Sequence, residues 1–179
     1  MHEGVELIDE HDAHADHPLV LPVSVSISIL AVLVAAVTLL GHRAHTEELL
    51  RQSQAADRWA QYQAKSVRLH ETQSFADVVN LVAPLNKELG EILREKYGEQ
   101  VEHYQGDKED ISKEARELEN ERDLAGRKAD RFDGGEAFLE IGLVICSITL
   151  LTKRKIFWYS GMLIGAGGVA LALSGFLIR

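Results

Sequence analysis

The sequence predicts an all-α membrane protein with three transmembrane helices and a long antiparallel helical hairpin, coiled-coil-like, between spans one and two. Two long apolar runs without charge and a third, shorter run predict the spans. The 96 residues between the first and second runs are polar and rich in Glu, Gln, Ala, Arg and Leu. That composition favours long helices.

Residues 1–18 form an acidic tail, and residues 19–40 form transmembrane helix 1. The tail contains six acidic residues and no Lys or Arg, so it accounts for −6 of the net charge of −9. Because a cleaved signal peptide needs a basic segment here, we expect the following run to be a permanent anchor. It has 22 residues without charge, and about 20 apolar residues are enough to cross a bilayer.

Residues 41–136 predict an extramembrane helical hairpin. Seam positions before the second span alternate in steps of four and three, as in a coiled coil; they are Ile111, Ala115, Leu118, Arg122, Ala125, Ala129 and Phe132. A stripe with the same spacing follows the first span and consists of Ala55, Trp59, Tyr62, Ser66 and Leu69. Pro84 is expected to end the first arm, and Gly98 and Gly106 to interrupt the second. Both stripes are thin, so we expect several chains to bury them together.

We predict that residues 137–152 form transmembrane helix 2 and that residues 156–178 form transmembrane helix 3. The second run has only 16 residues and contains Glu140, whereas the third has 23 residues without charge. Residues 153–155 form a basic loop, and the aromatic residues 157–159 follow it, as is typical of a membrane interface. We therefore expect a tight hairpin of two spans.

Glu136 and Glu140 lie on one face of helix 2, because they are four residues apart. Span one leaves the membrane where span two enters it, so His42 and Arg43 are expected at the same level as these carboxylates. One hypothesis is structural: Arg43 or His42 forms a charge-assisted hydrogen bond with either Glu.

The alternative hypothesis is a ring of several copies. In such a ring, Glu140 and the face of span one that carries Ser24 and Ser28 would line a cation path. In a variant of this idea, His42 or His45 exchanges protons with Glu140 near neutral pH.

Small residues recur on one side of span three and predict close helix packing. They are Gly161, Gly165, Gly168 and Ala172, at steps of four, three and four. The sequence does not specify which helix packs against this face, and the alternatives are span one, span two and another subunit.

A metal site is predicted only weakly, in the tail. His11, His14 and His17 are spaced by three residues, and imidazoles at this spacing can bind zinc or copper weakly. Such a short tract is more typical of a disordered segment. Cys146 is the only cysteine, no nucleotide-binding loop or catalytic motif is found, and no basic stripe indicates a nucleic-acid partner. We therefore expect no cofactor and no enzymatic activity.

Two segments resemble a bacterial membrane family known as domain of unknown function 4337 (DUF4337). They are HRAHTEELLRQSQAADRWAQYQAKSVRLH after span one and RFDGGEAFLEIGLVICSITLLTKRKIFWYSGMLIGAGG across spans two and three. The pieces DRWAQYQAKS and FDGGE make the resemblance specific. It implies a multi-pass protein of the bacterial inner membrane with a helical insert, and it implies no activity.

The distribution of positive charge favours a cytoplasmic hairpin. Eight Lys and Arg residues lie near the span ends on the hairpin side or at the C-terminus, against three in the loop 153–155. The leading hypothesis is a homo-oligomeric structural or scaffolding protein in contact with membrane lipid, whose hairpin can dock a protein partner. The alternatives are a small oligomeric ion channel or transporter with an intramembrane Glu ring, and metal binding by the tail.

Overall fold

The computed structural model describes residues 18–82 and 86–178, and these ranges contain three α-helices and no strand. Helix α1 spans Val20–Val82, α2 spans Lys87–Thr152 and α3 spans Lys155–Gly175. The predicted all-α class is confirmed. Each helix is long and apolar enough, by length and composition, to cross a membrane.

Helices α1 and α2 run without a break from the predicted spans into the predicted hairpin. The positions at which we separated span from hairpin, 40/41 and 136/137, both lie inside a helix. The interruption expected at Gly98 and Gly106 was wrong, because α2 is continuous through both. An isolated glycine costs a helix only about 1 kcal/mol, which the long flanking helical segments offset. Pro84 lies outside the described residues.

Contacts divide the chain into two compact units. The first comprises Met1–Thr46 and Leu124–Arg179, and we call it the three-helix unit. The second comprises Glu47–Asp123, and we call it the two-helix unit.

The core of the three-helix unit repeats every seven residues on α1 and α2. One buried series consists of Val23, Leu30, Val37 and Ala44 on α1, and another of Ala125, Phe132, Leu139 and Cys146 on α2; Ala129 and Thr149 are buried beside the second. Seven residues make about two helical turns, so each set lies along one face of its helix. Helix α3 contributes a face of small buried residues: Gly161, Gly165, Gly168, Ala172 and Gly175.

Among the described residues of the two-helix unit, ion pairs between the helices recur at a regular spacing. Arg51 lies 3.1 Å from Glu121, Arg58 lies 3.0 Å from Glu114, and Lys65 lies 2.5 Å from Asp107. Each step of seven residues forward on α1 matches a step of seven backward on α2. The two segments therefore run antiparallel in a constant register. Ala55, Leu69, Val79 and Ala115 are buried in this unit.

Candidate functional site

Two acidic residues of α2 contact α1 at the predicted start of span two. The Thr38 hydroxyl lies 2.6 Å from Glu136 Oε1 and donates to it. About two turns further along α1, His45 Nε2 lies 2.9 Å from Asp133 Oδ2. Between these contacts the helices approach closely, because a Cβ on Gly41 would lie 3.0 Å from Asp133 Oδ1. The result is a polar band that joins α1 to α2.

Glu140 stands apart from this band. Its side chain is exposed, and within the described part of the chain it makes no hydrogen bond or ion pair. Leu139 is fully buried, and one residue turns an α-helix by about 100°, so Glu140 lies at the edge of the core, on the same face of α2 as Asp133. The register that places Gly41 against Asp133 puts Glu140 level with Val34, and residues 30–37 of α1 have no polar side chain to pair with it. Ala137 and Val144, which lie on the same side of α2 as Glu140, are exposed, so the carboxylate has exposed apolar neighbours.

The expected contact of His42 or Arg43 with Glu136 or Glu140 is not observed among the described residues. Both basic side chains are exposed and make no ion pair in this part of the chain. Instead Thr38 and His45, which lie on the side of α1 that faces α2, make the contacts with acidic residues.

Ser24 and Ser28 are not brought together with Glu140. The Ser28 hydroxyl donates to the Ser24 carbonyl oxygen at 3.0 Å, along α1 itself. Both serines line a groove whose other walls are also α1 residues, namely Val25, Ile29, Val32 and Leu33. Ser26 makes the polar contact between helices, because its Oγ lies 3.2 Å from the Trp158 Nε1 that donates to it.

The small-residue face of α3 packs against α2. A Cβ on Gly168 would lie 2.7 Å from the Gly135 carbonyl oxygen, and one on Gly161 would lie 2.7 Å from that of Gly142. Gly135 in turn faces Ala172: a Cβ on Gly135 would lie 2.8 Å from the Ala172 Cβ. These distances leave no room for a side chain at the glycine positions, so the two backbones are in direct contact there.

Helix α1 reaches the same interface. The Leu30 side chain lies 2.8 Å from the position of a Cβ on Gly165. The sequence reasoning missed the roles of Gly135 and Gly142 on α2. The sequence signal for Gly135 and Gly142 was their spacing of seven residues, the same as that of the buried Leu139 and Cys146 on α2. Gly161 and Gly168 on α3 have this spacing too.

Electrostatic contacts in the two-helix unit shift two ionisable groups. The hydrogen bond from Lys65, with the nearby His103 charge, lowers the pKa of Asp107 below its usual 3.8. The hydrogen bond with Asp123 raises the pKa of Arg122. Both shifts stabilise charged forms at neutral pH and hold no group ready for acid–base chemistry.

The predicted metal ligands His11, His14 and His17 lie outside the described residues. Within residues 18–82 and 86–178, no group of three or more His, Cys, Asp or Glu side chains is arranged to hold a metal ion.

Comparison with known proteins identifies the family. The family described as Domain of unknown function (DUF4337) matches residues 21–178. The chain belongs to the DUF4337 family. No curated protein matches it, and no solved structure matches it. The DUF4337 match begins one residue inside α1 and includes the rest of the three helices, and therefore also the segment between the two stretches whose resemblance was seen in the sequence.

Proposed function

We propose that this DUF4337 protein is a non-enzymatic, multi-pass membrane protein that assembles into homo-oligomers and serves as a scaffold or docking platform. The observation that carries the proposal is Glu140. Its carboxylate is exposed and unpaired, among the described residues, on an apolar helix surface.

A lone chain in a bilayer would place this carboxylate against lipid. An acidic residue at the centre of a transmembrane helix costs about 2.5–3.5 kcal/mol on insertion scales, and such residues normally face protein or water. Glu140 lies nearer the start of span two, where this cost is smaller. The carboxylate is nevertheless expected to contact protein rather than lipid. A neighbouring copy of the chain provides that contact.

The membrane placement rests on three helices that are long and apolar enough to span. We propose that they lie in the bacterial inner membrane, as the resemblance implies, with the two-helix unit in the cytoplasm. The excess of Lys and Arg near the span ends on the hairpin side supports this orientation. The test is a Gly106→Cys variant in intact cells. If a membrane-impermeant thiol reagent labels the new cysteine, the two-helix unit lies outside the cytoplasm and the proposed orientation is wrong.

The two-helix unit supplies the surface for a partner protein. Several large apolar side chains are more than half exposed on either side of the connection between α1 and α2; they are Phe75, Val78, Leu81, Leu89 and Ile92. Phe75 also stacks on Tyr97, with ring centroids 6.1 Å apart. Exposed apolar clusters of this kind mark protein interaction sites.

A small oligomeric channel is the second candidate, and the same unpaired carboxylate favours it. A ring of copies that turned Glu140 toward a common axis would select cations. Ser24 and Ser28 give this candidate little support, because their groove does not include Glu140. Metal binding by the tail remains a proposal that rests on His11, His14 and His17 alone.

The mass of the detergent-extracted complex tests the leading proposal. We expect a discrete homo-oligomer by native mass spectrometry and light scattering; a monomer at every concentration would contradict both candidates. Ion flux in liposomes then separates them. A scaffold gives no flux above protein-free vesicles, whereas a channel gives flux that is lost in Glu140→Gln.

A further inference from the structure

We propose that Glu140 of one copy binds Arg43 of the adjacent copy, so that the interface between copies is completed by a residue from each. This inference rests on the proposed homo-oligomer and specifies its geometry. Both charged groups belong to the three-helix unit. Both are exposed and without an ion pair within the described residues.

The register between α1 and α2 sets the depth of each Cα. Thr38 contacts Glu136 and Gly41 faces Asp133, so paired residue numbers sum to 174 in both cases. Arg43 is therefore level with residue 131, which lies nine positions before Glu140. Nine residues correspond to about 13 Å along the helix axis.

The direction of the side chains closes most of this gap. Side chains on an α-helix lean toward its N-terminus. Helix α1 runs out of the predicted span at Arg43, so that side chain leans back toward the membrane by about one turn. Helix α2 runs into the predicted span at Glu140, so that side chain leans outward, by a shorter distance because glutamate is shorter than arginine. The arginine contributes about 5 Å and the glutamate about 3 Å along the axis, and a hydrogen bond of about 3 Å between the guanidinium and the carboxylate closes most of the remaining gap.

The rotation of the two residues prevents pairing within one chain. Arg43 follows Thr38, which faces α2, by five residues, so it points about 140° away around α1. Glu140 emerges from α2 on the outward side, with the body of α1 between the two groups. Between adjacent copies α1 no longer separates the two groups, because the exposed face of one copy that carries Glu140 contacts the exposed face of the next copy that carries Arg43. A head-to-tail contact of this kind generates a ring when the rotation between successive copies closes.

Arg43 is a better partner for Glu140 than the other basic residues nearby. Arg131 is level with Arg43 and is also exposed, but it lies on α2, so its side chain leans away from the predicted span. His42 has a shorter side chain than arginine, so it reaches less far toward Glu140. The guanidinium keeps its charge and can bind a carboxylate through two parallel hydrogen bonds.

Charge reversal in the full-length chain tests the pairing. We expect Glu140→Arg and Arg43→Glu each to raise the dissociation constant of the detergent-solubilised oligomer by about tenfold or more, since each places like charges together. The double variant Glu140→Arg/Arg43→Glu should restore the affinity to within a few-fold of the wild type. Arg131→Glu is the matched control and should dissociate like the wild type. Circular dichroism must show wild-type helix content, so that loss of assembly is not loss of folding.

A second measurement does not depend on stability. Copies with Arg43→Cys and copies with Glu140→Cys, carrying different tags, are co-assembled and treated with a short bismaleimide. We expect a cross-linked heterodimer, and none when Arg131→Cys replaces Arg43→Cys. An oligomer that persists in both single reversals, or one that the double reversal fails to restore, overturns the pairing and leaves the scaffold proposal intact. A wild-type monomer overturns both.

Discussion

Replacement of Gly142 by alanine tests the direct backbone contact between α2 and α3. The added Cβ would lie 2.8 Å from the Gly161 carbonyl oxygen and 2.9 Å from the Gly165 amide nitrogen. Both obstacles are backbone atoms, so no side-chain rotation can relieve the overlap and α3 must shift as a unit. Leu30 of α1 packs on Gly165, so the shift would also disturb the contact with α1.

The magnitude follows from the balance of two effects. Overpacking of a tight interface costs about 1–3 kcal/mol. Exchange of glycine for alanine within a helix returns up to about 1 kcal/mol, because it restricts the unfolded chain. Gly167→Ala provides the matched control, since nothing lies within 4 Å of its Cβ position and the residue is exposed. The two variants have the same composition, so their free energies of unfolding should differ by about 1–3 kcal/mol, which is the overpacking cost alone.

The assay is equilibrium unfolding in mixed detergent micelles, followed by circular dichroism at one protein concentration. We expect Gly142→Ala to unfold at a lower denaturant fraction than the wild type and Gly167→Ala to unfold at the same or a higher one. If the two variants unfold together, α2 and α3 are not packed through Gly142, and the assignment of the small-residue face to this interface is wrong.

The remaining predictions concern a helix interior, an ion pair and a tryptophan. Gly98→Ala should stabilise α2 by about 1 kcal/mol, measured by thermal unfolding, because nothing lies within 4 Å of the added Cβ. Acid should destabilise the two-helix unit, since the lowered pKa of Asp107 contributes stability that is complete above 3.8, the ordinary value, and is lost as the pH falls through the lowered value in the folded state. Trp158→Phe should cost about 0.5–1.5 kcal/mol in micelle unfolding, because the hydrogen bond to Ser26 Oγ is lost.

Each of these three predictions has its own control. For Gly98, the control is Gly142→Ala, which should change the stability in the opposite direction. A loss of stability in Gly98→Ala would show that α2 is not a continuous exposed helix there. For Asp107, the variant Asp107→Asn should remove part of the acid dependence measured by helix content, and an unchanged titration curve would contradict the role of Lys65. For Trp158, the double variant with Ser26→Ala should cost little more than either single change; additive losses would exclude the hydrogen bond.

The helices could be predicted from sequence because their signals are local. The apolar runs, the spacing of Ala115, Ala125 and Phe132, and the small residues of span three all depend on residues close together along the chain. The breaks expected at Gly98 and Gly106 failed for a related reason. A glycine weakens a helix by a small local amount, and long uninterrupted helical segments on both sides outweigh it.

The partners of Glu136 and Glu140 could not be predicted in the same way. Both carboxylates share one face by spacing, yet Glu136 accepts a hydrogen bond from Thr38 and Glu140 points outward. The depth at which each carboxylate meets α1 decides the difference: the register places Glu136 level with Thr38 and Glu140 level with Val34, where residues 30–37 of α1 are all apolar. No local pattern in α2 specifies that register.

The sequence by itself therefore determined three apolar helices, the all-α class and membership of the DUF4337 family. Tertiary structure decided that Gly161, Gly165 and Gly168 pack on α2, that Leu30 fills the remaining gap, and that Glu140 is left outside. The physical reason is that hydrophobicity and periodicity select a helix and its buried face, whereas the closest approach of two backbones selects its partner and its rotation.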